Sequence, residues 1–160
     1  MGDRHRFDLF AKLIADHFPN RSARIADIAG GQGWLQLALR ERGYNHVTTF
    51  DKRKKRKRQR GLVYQYRWFD SRVRDEFDLL AGMHPDEATD VIVVEACRRG
   101  IPFVVCPCCV MPNVTTMWVN HNYKNWLDHL EKKAKERGYV VERFWLRMNG
   151  KNAVLTGRIT

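Results

Sequence analysis

Ile25-Ala26-Asp27-Ile28-Ala29-Gly30-Gly31-Gln32-Gly33 is the segment from which the rest of the chain can be read. A short apolar run enters a turn carrying three glycines, and Leu35, Ala38 and Leu39 then recur at the spacing of one helix face. Gly43 provides a stop at the end of that helix. A strand, a glycine turn and a helix in this order leave bare backbone N–H groups at a helix N-terminus. Glycine is needed there because a ligand must approach the main chain closely or because φ turns positive.

Working outward, Phe7, Phe10, Ile14 and Phe18 predict a helix that ends at Pro19-Asn20. Val47–Phe50 predicts a second strand ending at Asp51, Leu62–Tyr66 a third and Phe77–Leu80 a fourth. Residues 86–99 read as a helix with Pro85 ahead of it and Gly100 just past its end. Ile101–Cys106 is a buried-strand run stopped by Pro107. Tyr123, Trp126, Leu127, Leu130 and Ala134 mark a further amphipathic helix closed by Gly138. Tyr139–Leu146 and Asn152–Leu155 flank Asn149-Gly150, a hairpin signal. The expectation is an α/β fold: a Rossmann-like, doubly wound, mostly parallel sheet with a C-terminal antiparallel hairpin and helices on both faces. Neither repeat nor linker interrupts residues 1–160, so one domain is expected.

Composition narrows the function. Of 160 residues, 44% are hydrophobic and 29% charged, which argues against a disordered chain. No apolar run approaches the roughly 20 residues that a membrane helix needs, and the N-terminus lacks a signal-peptide layout. A cytoplasmic protein without membrane association is expected. The net charge is +11, yet eight positive charges lie in Lys52, Arg53, Lys54, Lys55, Arg56, Lys57, Arg58 and Arg60; without them the balance is +3. Basicity so local suits a loop that grips a polyanion, with RNA the first partner to consider. Cys97, Cys106, Cys108 and Cys109 fall within thirteen residues, a spacing that fits neither a disulfide framework nor a structural zinc site, so reduced thiols and no metal are expected.

Asp51 stands 24 residues after Asp27, at the predicted end of the second strand. A carboxylate there can accept both hydroxyl hydrogens of a ribose, and with the glycine turn it predicts a nucleoside-containing cofactor. The dinucleotide fingerprint wants a glycine where Gln36 stands, and a phosphate-loop Gly-Lys-Ser/Thr is absent.

The run Asp27-Ile28-Ala29-Gly30-Gly31-Gln32-Gly33 resembles the first motif of class I S-adenosylmethionine-dependent methyltransferases. That resemblance implies S-adenosyl-L-methionine as cofactor. Asp27 would order the loop and bind near the methionine amino group; Ala29, Gly30, Gly31 and Gly33 would let the backbone pass close. Asp51 would hold the ribose, and Asp70 would receive the adenine amino group. Met83-His84 with Ala88-Thr89-Asp90, followed by Cys108-Cys109, is similar to a subgroup that includes tRNA 2′-O-methyltransferases. The subgroup has Cys-Gly after its histidine, where this chain has Pro85-Asp86. The likeness spans residues 24–112 and implies that His84, Cys108 and Cys109 line the cleft, with His84 beside the cofactor. There His84 could orient the acceptor or take its proton, while the cysteines would act mainly as small, soft packing groups. The separate recruitment domain common in such enzymes is missing, which leaves room for a protein partner.

Aromatic residues offer stacking surfaces for bases, with Trp118 the better placed and Trp126 expected to be buried. The leading reading is an RNA methyltransferase. A small-molecule methyltransferase and a catalytically silent RNA-binding module are the alternatives.

Overall fold

The four residues of β1, Ile25–Ile28, are all buried, as expected of a strand flanked by others and covered on both sides. The computed structural model describes residues 4–54, 58–108 and 122–160. Helix α1 (His5–His17) precedes β1, and α2 (Trp34–Glu41), β2 (Val47–Phe50), β3 (Tyr64–Gln65) and β4 (Leu79–Met83) follow it. A 3-10 turn at Asp86–Ala88 leads into α3 (Thr89–Arg99), then β5 (Phe103–Cys106), α4 (Tyr123–Lys135), β6 (Tyr139–Trp145) and β7 (Ala153–Ile159). These strands form one sheet in the order β3-β2-β1-β4-β5-β7-β6. Strands β1 to β5 run parallel, and β7 is antiparallel to both β5 and β6.

Alternation along the strands divides the core between the two faces. Ile25, Leu79, Ala81, Met83, Val104 and Cys106 pack with Phe10, Ile14, Leu35 and Leu39 of α1 and α2. Ala26, Ile28, Leu80, Phe103 and Val105 pack instead with Ile92, Val93, Trp126 and Leu130 of α3 and α4. Helices thus cover both faces. Trp126, with no exposed surface, is a core residue as expected. The chain leaves β1 toward β2 on one side and returns to β4 on the other. The crevice at this reversal, beyond the C-terminal ends of β1 and β4, is where open α/β sheets hold ligands.

Element boundaries differ from the sequence expectations in instructive ways. The helix expected from residue 86 begins at Thr89, because Asp86 has φ +50° and the Thr89 hydroxyl donates to the Asp86 carbonyl at 2.8 Å, holding a tighter turn. The third strand shrinks to Tyr64–Gln65, since the Val63 N–H bonds to the Gln36 side chain (2.9 Å). The antiparallel pairing expected across Asn149-Gly150 is present, with Trp145 opposite Ala153. Leu146 and Asn152 close the loop through Leu146 N–H to the Asn152 carbonyl (2.9 Å) and Asn152 Nδ2 to the Leu146 carbonyl (2.8 Å).

The junction of the parallel sheet with its antiparallel edge rests on a glycine. Gly157 of β7 is in register with Phe103 of β5, and a Cβ there would lie 2.1 Å from Phe103 Cε1. Phe103 is fully buried, so its ring cannot swing into solvent. Gly157→Ala is expected to destabilise the protein by about 1–3 kcal/mol through overpacking, read as a lower urea midpoint in equilibrium unfolding.

Candidate cofactor and acceptor cleft

Asp27 lies near the end of β1 with 1% of its surface exposed. Its Oδ2 accepts from Thr49 Oγ1 of β2 at 2.8 Å, and Thr49 Oγ1 in turn accepts from Gln36 Nε2 of α2 at 2.8 Å. Gln36, also fully buried, further donates to the Val63 carbonyl at 2.9 Å and accepts its N–H. One polar chain therefore joins β1, β2, α2 and the entry to β3. Burial, opposed by the Thr49 hydrogen bond and reinforced by the charge of Asp51, raises the Asp27 carboxyl from its ordinary 3.8 to about 7.

The glycine turn wraps this carboxyl. A Cβ on Gly30 would stand 2.1 Å from Asp27 Oδ2 and 2.6 Å from Thr49 Cγ2, so only glycine fits over the buried pair. Gly33, at φ +86°, caps the N-terminus of α2 against the Tyr64 hydroxyl, which donates to the Gln32 carbonyl. At Gly31 (φ +56°) a Cβ would meet nothing within 4 Å, so the space above the turn is open. Among the described residues, Ala29, His84 and Asp86 are the non-glycine positions with positive φ. All three line this crevice, where backbone strain is commonly tolerated for function.

Asp51, just past β2, is 5% exposed and heavily engaged. Oδ2 accepts from the Gly31 N–H and from Arg53 Nη2; Oδ1 accepts from the Arg53 N–H and Nε, all at 2.9 Å. Burial pushes the Asp51 pKa up, but the hydrogen bonds from Arg53 and Gly31 outweigh it, and the carboxyl sits below its ordinary value. Arg53 flanks two cavities. The smaller, about 180 Å³, lies among Ile28, Phe50, Trp68, Phe69 and the Pro85–Ala88 turn. The larger, about 490 Å³, runs from the glycine turn past Trp34 to His84 and Cys108.

His84 follows β4 and is half-buried. Its Nε2 lies 2.7 Å from the Lys151 carbonyl. A carbonyl only accepts, so the proton resides on Nε2 and Nδ1 keeps its lone pair. Burial, and then the charge of Arg6, hold the imidazole pKa below 6.5 despite the Lys151 hydrogen bond. Cys108 Sγ donates to Asp86 Oδ1 at 3.0 Å. Cys106 is buried with its thiol pushed up to about 12 by burial, which keeps it protonated. Among the described residues no group of three or more His, Cys, Asp or Glu is arranged to hold a metal.

The two cavities thus bring together Ala29, Gly30, Gly31, Asp51, His84 and Cys108, while Asp27 is buried against Gly30 and Gly33 packs against Tyr64, neither lining a cavity. Asp70 stands apart from both cavities: its carboxylate is bound by Arg72 through Nη2 at 2.8 Å and the backbone N–H at 2.8 Å. Cys109, Lys55, Arg56, Lys57 and Trp118 lie outside the described residues. Within the basic run, Lys52 pairs with Glu87 and Arg53 with Asp51, while the Arg58 guanidinium lies 5.4 Å from both the Tyr64 and Tyr66 rings. Sequence reading missed Gln36, Thr49, Arg4 and Arg6. Only Gln36 carried a signal, a polar side chain inside the apolar spacing of a helix.

This is the fold of class I methyltransferases. Over its full length the chain aligns with 81% of a ribosomal protein L11 methylase from Lactobacillus delbrueckii subsp. bulgaricus, at a TM-score of 0.71 and 14% identity. It is also similar to a magnesium protoporphyrin IX methyltransferase from Synechocystis PCC 6803 solved with bound SAH: TM-score 0.65, 11% identity, 98% of this chain and 83% of that one. A glycopeptide N-methyltransferase complexed with sinefungin aligns over 96% of this chain and 94% of its own, at a TM-score of 0.62 and 11% identity. No family model and no curated protein matches the sequence. Among the described residues, no helix is long and apolar enough to cross a membrane.

The Asp27 carboxyl yields a prediction that needs no ligand. A carboxyl whose pKa rises on folding binds more protons folded than unfolded, so its stability contribution falls as pH climbs from 3.8 to about 7 and stays low above. Asp27→Asn removes the buried charge and keeps an acceptor for Thr49. Thermal melts should show the variant gaining on wild type as pH rises through that window, with no gain at its acid end.

Proposed function

We propose that the chain is an S-adenosylmethionine-dependent methyltransferase acting on RNA. The observation that carries this reading is Asp51, a buried carboxylate at the end of β2 bonded to the Gly31 N–H. It lines the smaller of the two cavities that flank Arg53. The smaller cavity, floored by Phe50 and Phe69, suits an adenine. The larger, alongside the glycine turn, suits the amino-acid tail and the acceptor. The open space over Gly31 and the close fit over Gly30 agree with a ligand lying along the turn.

Once bound, S-adenosylmethionine supplies an electrophilic methyl group. The residues of this chain would then hold the acceptor in line with it, so that positioning provides much of the rate. His84, neutral at pH 7 with its proton on Nε2, can take the acceptor's proton at Nδ1. A ribose diol would displace Arg53 from Asp51, because both claim the same carboxylate lone pairs. RNA is favoured as acceptor by the basic run and by the Tyr64–Tyr66 pair beside it, stacked at 5.9 Å beneath Arg58. The comparison proteins act, by their names, on a ribosomal protein, a porphyrin and a glycopeptide, so the fold does not choose the acceptor.

Calorimetric titration of S-adenosylhomocysteine tests the cofactor assignment. Asp51→Ala is expected to weaken binding about tenfold or more, the scale of hydrogen bonds to a charged group. Arg53→Ala is expected to tighten it. No binding by wild type defeats the reading.

Transfer of labelled methyl groups to bulk cellular RNA tests the acceptor class, with ribonuclease-treated RNA as the control that must fail. His84→Asn is expected to lower the rate about 100-fold or more. Because the base must be neutral, the wild-type rate should fall as pH drops through a pKa below 6.5, a limb the variant lacks.

A further inference from the structure

The larger cavity carries two guanidinium groups that the basic run does not supply. Arg4, at the N-cap of α1, lies with its guanidinium 4.2 Å from the centre of the Trp34 ring, and Arg6 lies 4.7 Å over Phe7. Both arginines line the same cavity as the glycine turn and His84. Among the described residues neither makes an ion pair within 4 Å, and the nearby Asp8 is committed to Arg42 at 3.0 Å. Arg6 Nε is buried and finds no hydrogen-bond acceptor among the described residues. A desolvated guanidinium donor without an acceptor is costly, and a turn of the Arg6 side chain toward an oxyanion in the cavity would relieve it.

We infer that Arg4 and Arg6 form an oxyanion site that receives a phosphate of the acceptor beside His84. This rests on the methyltransferase reading for the identity of the neighbouring ligand but not for the site itself. A zwitterionic amino-acid tail brings no net charge, whereas two guanidiniums face this space, so a phosphate is the better electrostatic match. Stacking on Trp34 and Phe7 pre-orients both planar groups, leaving their N–H edges for forked hydrogen bonding to phosphate oxygens. Arg6 is also near enough to His84 for its charge to add to burial in lowering the imidazole pKa. A phosphate held there would fix the distance between an RNA backbone and the proton-accepting histidine. Among the described residues, the one carboxylate that lines the cavity, that of Asp86, accepts from Cys108 Sγ.

The test is an NMR titration of the nitrogen-15-labelled full chain, saturated with S-adenosylhomocysteine, using uridine 5′-monophosphate and uridine as paired probes. The monophosphate is expected to shift the Arg4 and Arg6 Nε–H resonances, and the nucleoside is not. Arg6→Ala should weaken monophosphate binding about tenfold, and Arg6→Lys, which keeps the charge but loses the fork, should fall between. S-adenosylhomocysteine affinity should be unchanged in both variants, which also shows that they fold. Equal monophosphate affinity in wild type and Arg6→Ala overturns the proposal. So does a loss of S-adenosylhomocysteine affinity in Arg6→Ala with none for 5′-methylthioadenosine, since the arginine then serves the cofactor's own carboxylate. If wild type binds no S-adenosylhomocysteine, the methyltransferase reading falls, while the same titration on the protein alone still decides the arginine site.

Discussion

The structure depends on one buried relay, Gln36 to Thr49 to Asp27, which commits a carboxyl to the interior of a parallel sheet. A charge there is tolerated only because each polar group has a partner. The relay's members come from α2, β2 and β1, so satisfying Asp27 fixes how the first helix after the turn sits on the first two strands. It also explains Gly30, which leaves room above the carboxyl, and the shortened β3, whose preceding residue is bound by Gln36 instead of by a strand. Where dinucleotide-binding folds use a third glycine to bring helix and strand together, this protein uses a glutamine that bonds across the gap.

Electrostatics divide the basic residues into groups with different tasks. Lys52 and Arg53 pair with Glu87 and Asp51, all four lining the smaller cavity. Arg58 lies over two stacked tyrosines. Arg4 and Arg6, remote in sequence from the run, face the larger cavity. A cluster that reads as one polyanion-binding loop therefore includes side chains that line the smaller cavity, while part of the cationic lining of the larger one comes from the first helix.

Much of the fold was legible because it rests on local signals. The alternation of strands and helices, the glycine turn and the pairing of the last two strands follow from periodicity and turn chemistry over a few residues. The misread boundaries have particular causes. Asp86 takes a positive φ at the head of α3, and the Gln36 side chain takes the Val63 N–H just ahead of β3, so contacts from elsewhere override the short-range signal. The positions of Asp51 and His84 beyond their strands were likewise readable, since strand ends face the ligand crevice in this class of sheet. The setting of Asp70, drawn to Arg72, was not.

What the sequence alone determined is the order of elements and the delivery of the glycine turn, Asp51 and His84 to the strand ends, because both follow from hydrophobic period and from glycine's freedom at a single turn. What only the tertiary structure decided is which charges meet. That Arg53 seals Asp51, that Gln36 reaches Thr49, and that Arg4 and Arg6 arrive beside His84 depend on contacts between segments far apart in the chain. Hydrogen bonds and ion pairs act over a few ångströms in space, and no spacing along a sequence encodes that distance.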